Sequence, residues 1–81
     1  MRHPLYDRAL AYLSPYEQST ARALETYRPS WWQTRIHPQT MLDYLDARDD
    51  AHRVSAMVTM MRDAVNWAHT ARQALHAHPG A

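Results

Sequence analysis

The chain has 81 residues, 46% of them hydrophobic and 21% charged, with a formal net charge of +1; it is expected to form one domain over residues 1–81, with no room for a second core. It has no cysteine, which excludes disulfide scaffolds, thiolate metal sites and cysteine nucleophiles, and one glycine, Gly80, which argues against hairpins and phosphate-cradling loops. Phe is absent and Leu, Ile and Val are scarce, so the apolar volume has to come from Ala, Met, Tyr and Trp.

Prolines divide the chain into helices: Pro4, Pro15, Pro29 and Pro38 each fall where a helix would begin, a position that tolerates the missing N–H. The first helix is expected over about 4–13, with Leu5, Tyr6, Ala9, Leu10 and Leu13 on one face. Ser14-Pro15-Tyr16-Glu17 reads as a capping box with Pro at the first helical position, opening a second helix over 15–28. Its expected inner face is Tyr16, Thr20, Ala23, Leu24 and Tyr27, and it stops ahead of Pro29. Ser30-Trp31-Trp32-Gln33 is a weaker capping box for a helix of at most two turns, about 30–36.

From Pro38 to His76 the chain contains no Gly or Pro, which predicts a long C-terminal helix over about 38–76. One stripe runs through Ala47, Ala51, Val54, Val58, Met61, Val65, Ala68, Arg72 and Leu75 at the three-and-four interval of a coiled coil. Met57, Met60, Ala64, Trp67, Ala71 and Ala74 form a second stripe beside it, so the apolar face is as wide as that of a central bundle helix. Asp46-Ala47-Arg48-Asp49-Asp50 can interrupt this helix, with Asp49 or Asp50 as a new N-cap. Unbroken, it would extend about 58 Å, against about 15 and 20 Å for the first two helices, and its own chain would leave it uncovered. The fold class expected is therefore all-α: short N-terminal helices packed on a long C-terminal one, unbroken or broken near 46–50, in a small bundle, with 77–81 as a frayed tail. Val54, Val58, Met61, Val65, Ala68 and Leu75 are the residues expected to mediate self-association, as a homodimer or higher oligomer.

Six histidines invite a metal reading. His69 and His76 share a face but lie two turns apart, about 10 Å, too far for one ion. Asp49-x-x-His52 has the carboxylate–histidine spacing of di-iron bundles, which need that motif twice with two further carboxylates; here it occurs once. Asp43, Asp46, Asp49 and Asp50 make an acidic stripe that lacks the loop by which Ca²⁺ is wrapped, and Arg48 and Arg53 stand among them. Both groups read as solvated faces. No serine has the flanking glycines of a nucleophile elbow. The expectation is no metal, no cofactor and no catalytic residue, hence not an enzyme.

The segment Tyr27-Arg28-Pro29-Ser30-Trp31-Trp32-Gln33-Thr34-Arg35-Ile36-His37 carries the densest mixture of Trp, Tyr and Arg, the residue types of binding hot spots. Adjacent side chains on an α-helix diverge by about 100°, so one Trp is expected inward and the other at the surface. Three readings stand open: two rings plugging a thin core, a protein-binding site formed by Tyr27, Arg28, Trp31, Trp32 and Arg35, or a base-stacking platform. The leading expectation is a small non-catalytic helical binding protein that inhibits or regulates a larger protein or complex. Size and style place it beside phage and mobile-element inhibitors, anti-CRISPR proteins included. The alternative is a nucleic-acid-binding transcriptional regulator. Against it stand nine scattered Arg balanced by eight acids, and prolines that leave only two turns for a recognition helix. No apolar run reaches the length of about 18 residues that spans a bilayer, and Met1–Arg8 lacks a secretory apolar stretch, so a cytoplasmic protein that binds no membrane is expected.

Overall fold

The structure is a computed structural model and describes residues 3–33 and 36–77. Among them are four α-helices and one 3-10 turn, with no strand: α1 (Tyr6–Leu10), α2 (Pro15–Tyr27), the turn Trp31–Gln33, α3 (Pro38–Leu45) and α4 (Asp50–Ala77). The shorter elements pack along α4 in a small helical bundle.

α1 is shorter than its apolar pattern suggests because its last turn tightens: the Tyr12 and Leu13 N–H groups donate three residues back, to Ala9 O and Leu10 O, both at 3.1 Å. That tightening turns Leu13 inward, so Leu5, Tyr6, Ala9 and Leu13 are buried and Leu10 packs against them, as the spacing predicts. The capping box then starts α2. The Glu17 N–H donates to Ser14 Oγ at 3.2 Å, and Glu17 Oε1 accepts from the Ser14 N–H at 2.8 Å. Gln18 Nε2 donates to Leu13 O at 3.0 Å, satisfying a carbonyl where the chain reverses.

The inner face of α2 is rotated from the expected one. Ala21 is its buried residue, with Gln18, Leu24 and Glu25 half-buried beside it, while Tyr16, Ala23 and Tyr27 are exposed. The reason is steric and polar together: Ala21 lets the backbone approach the core closely, and Glu25 has a polar partner inside, described below. The third expected helix, 30–36, is a 3-10 turn at Trp31–Gln33, with Thr34 and Arg35 outside the described residues.

The long C-terminal helix is broken. α3 ends at Leu45, and the Asp46 N–H still donates to Leu42 O at 2.8 Å. Asp49 caps the next helix, its Oδ1 accepting from the His52 N–H at 2.9 Å. Arg53 ties the junction to Asp50, Nη1 to Oδ1 at 3.2 Å. The break lets α3 fold back on α4 and cover it.

As a result Val54, Val58, Met61 and Val65, four of the six residues expected to mediate self-association, are buried in the chain's own core together with Met57 and Met60. This corrects the expectation for those four: an interface between copies built on them would require unfolding the bundle. Ala68 is half-buried and Leu75 is exposed. The expected frayed tail, 77–81, lies outside the described residues except for Ala77, the last residue of α4.

Candidate functional site

α2 stops where Pro29 forces the preceding residue out of the helical region: Arg28 is extended, at φ −154° and ψ 115°. Its N–H closes the last helical bond, to Leu24 O at 2.8 Å, and its carbonyl accepts from the Trp31 N–H at 3.0 Å. Gln33 N–H donates to Ser30 O at 2.9 Å, completing the 3-10 turn. These bonds fix a corner on which Tyr27, Arg28, Pro29 and Ser30 are all exposed, Tyr27 by 86%.

The two Trp rings point inward beneath this corner, 4% and 5% exposed. The expectation that one of them would reach the surface is therefore corrected. The turn advances by about 120° per residue and packs against both α4 and α2, so the rings diverge and both find cover, each in contact with Tyr6. Trp31 Nε1 donates to Tyr6 Oη at 3.0 Å, and Tyr6 Oη donates to Glu25 Oε2 at 2.9 Å. An indole, a phenol and a carboxylate thus link the turn, α1 and α2. Trp32 packs its ring 6.4 Å from that of Tyr6 and 5.9 Å from that of His3, the latter edge-on. His3 Nδ1 accepts from the Leu5 N–H at 3.0 Å, so the neutral ring carries its proton on Nε2, which meets Tyr44 Oη of α3 at 2.7 Å.

Beside the corner lies a cleft of about 780 Å³ lined by His3, Tyr6, Glu25, Pro29, Ser30, Trp32 and Gln33. Its walls offer aromatic surface, one carboxylate and the polar groups of Ser30 and Gln33, a mixture suited to holding a side chain. The Glu25 carboxylate and both His3 nitrogens already take part in hydrogen bonds.

Of the five residues expected to bind a partner, Tyr27 and Arg28 stand exposed together at the corner, Trp31 and Trp32 hold it from beneath, and Arg35 lies outside the described residues. His3, Tyr6 and Glu25 belong to the site without having been singled out. His3 and Tyr44 are 41 positions apart, and Tyr6 and Glu25 are 19 apart. No local spacing signals such pairs; Tyr6 was visible only as one member of an apolar face.

A second cleft, about 600 Å³, lies where α3 turns into α4, lined in part by Asp43, Asp46, Arg48 and His52. The acidic stripe is divided among separate partners here. Asp43 accepts from Gln39, Asp49 caps α4 and meets His52 Nδ1 at 2.7 Å, and Asp50 pairs with Arg53 and, at 4.0 Å, with Arg8. The His52 backbone N–H and side chain hold the Asp49 carboxyl below its usual range. Among the described residues no three His, Cys, Asp or Glu come together as ligands for a metal ion, and no helix is long and apolar enough to cross a membrane.

No protein-family model matches the chain, and no curated protein or solved structure shows significant similarity to it.

Proposed function

We propose that the protein is a non-catalytic binding protein of the cytoplasm that inhibits or regulates a larger protein by direct contact, through the corner Tyr27-Arg28-Pro29-Ser30 and the cleft beside it. One observation carries the reading: two consecutive residues, Tyr27 and Arg28, are exposed at a corner beneath which two Trp rings are buried. Tyr and Arg are the residue types in which binding energy concentrates. Bracing them in advance reduces the ordering cost that association otherwise carries. The adjoining cleft accepts a side chain of the partner against Trp32, Tyr6 and Glu25. The small size is in keeping with inhibitors carried by phages and mobile elements, anti-CRISPR proteins among them; size and style alone support that placement.

Site-directed photo-crosslinking in cells tests the reading. A benzoylphenylalanine probe in place of Tyr27 is expected to give one discrete protein adduct, lost in an Arg28→Glu background. The same probe at Asp63, exposed on α4, is expected to give none. Identical adducts from both positions would contradict the proposal, and an adduct with nucleic acid would favour the regulator alternative.

A further inference from the structure

α4 is longer than the helices that cover it. Its 28 residues extend about 42 Å, and the molecule measures 49 Å along its longest axis against 23 Å across. α1 lies beside the first part of α4: Arg8 meets Asp50, and Tyr12 O, in the turn just after α1, accepts from Arg62 Nη2 at 3.1 Å. Tyr16, at the start of α2, reaches farther, to His69 Nδ1 at 2.7 Å with its ring edge-on at 5.9 Å. Beyond His69 both apolar stripes of α4 run on into solvent. Leu75 continues the line of Val54, Val58, Met61 and Val65, and Ala71 and Ala74 continue that of Met57 and Met60; Ala71 is half-buried, Ala74 is exposed and Leu75 is 75% exposed. The same faces that form the core upstream are only partly covered here.

α3 carries a second open apolar face. Met41, Leu42 and Leu45, at i, i+1 and i+4, fall on one side of the helix and are exposed, Leu45 by 64%. Thr40 and Tyr44 take the inner side, so this stripe points away from α4.

The two faces differ in charge. From Ala64 to Ala77 α4 has no Asp or Glu and carries Arg72, which stands three residues before Leu75 and four after Ala68. Along α3 and the junction that follows, Asp43, Asp46 and Asp49 outnumber Arg48. Asp46 follows Leu42 by four residues, at the rim of the α3 stripe. Each face is an apolar strip, one with a basic rim and the other with an acidic one.

These faces cannot meet within one chain, because α3 lies against α4 with its stripe outward. They can meet between two. We propose that the protein pairs with a second copy of itself, the C-terminal third of each α4 docking on the Met41, Leu42 and Leu45 stripe of the other, with Arg72 facing Asp46. An antiparallel two-fold arrangement makes both contacts at once and closes the assembly at two. The pairing stands independently of the partner-binding corner, whose Tyr27 and Arg28 it does not use.

Light scattering on the untagged full chain over a wide range of concentrations tests this. The expected mass is twice 9.5 kDa. Leu45→Glu and Leu75→Lys are each expected to weaken the pair by about tenfold or more while helical circular dichroism stays unchanged, since both side chains are exposed. Asp46→Arg and Arg72→Asp should each weaken it too, and the two together should restore it. A monomer at every concentration, an assembly larger than two, a dimer indifferent to both leucine substitutions, or a double charge swap weaker than either single one would overturn the proposal.

Discussion

Single side chains at helix starts set the register of this fold, and two of them are carboxylates whose charge matters. Glu17 is held below its usual pKa first by the Ser14 backbone N–H, and further by the Ser14 hydroxyl and by the Arg62 guanidinium, 3.4 Å away. Asp49 is held down first by the His52 backbone N–H. Both pKa values are lower folded than unfolded. Their contribution to stability is therefore fully present above the ordinary values of 4.5 and 3.8, and is lost as pH falls through the lower folded values. Thermal unfolding followed by circular dichroism is expected to show a midpoint that falls as pH drops below about 4.5. Glu17→Gln should flatten that fall, and an unchanged slope would show that the cap carries no linked proton. Ser14→Ala should cost about 1 kcal/mol at neutral pH. These two starts were legible in the sequence because a cap is a local device: its donor and acceptor lie three residues apart. The other three Asp of the acidic stripe gave no comparable signal: Asp43 and Asp50 meet Gln39 and Arg53 on their own helices, contacts that start no helix, and the Arg8 contact to Asp50 depends on how α1 meets α4.

At the scale of the element, the sequence was clearest where apolar residues recur on a helix and least clear where polar groups are buried. α1 buries the face its spacing predicts, and the first half of α4 buries Val54, Val58 and Met61 of one stripe and Met57 and Met60 of the other, leaving Ala51 exposed. α2 does not follow its pattern, because small size and a polar link decide its orientation: Ala21 sits against the core and Glu25 reaches Tyr6. A count of apolar residues cannot weigh a half-buried carboxylate whose partner lies on another helix. The break at Asp46–Asp49 was legible as one of two outcomes, and the gain from covering α4 with α3 decides between them. The Trp31–Tyr6–Glu25 link supplies a test of this level. Tyr6→Phe keeps the ring and removes the oxygen that accepts from the buried indole and donates to Glu25. It should destabilise the fold by about 1–3 kcal/mol, measured by urea unfolding. A neutral effect would mean that the link orients α2 without contributing to stability.

At the scale of the whole molecule, a thin core must hold four short elements on one long helix. Met57, Met61 and Val65 are its largest fully enclosed side chains, and the Trp rings add volume that Ala and Met cannot. A domain of this length has a net stability of about 4–12 kcal/mol. One buried ring is therefore a large share of the total. Only part of the candidate site could be read from the chain: Tyr27 and Arg28 stood out by residue type as candidate contact residues and are exposed, whereas the inward turn of both Trp rings depends on cover from α1 and α4, which no local pattern records. The result is a division of labour within six consecutive residues, where Trp31 and Trp32 brace the molecule and Tyr27 and Arg28 face outward. Urea unfolding of Trp31→Ala beside Tyr27→Ala measures that division most directly. Trp31→Ala is expected to lose about 3–5 kcal/mol, leaving the chain near the edge of unfolding. Tyr27→Ala, at an exposed site, should stay within about 0.5 kcal/mol of the parent. Comparable losses in the two variants, or a larger loss at Tyr27, would contradict the assignment of bracing to one half of the segment and recognition to the other.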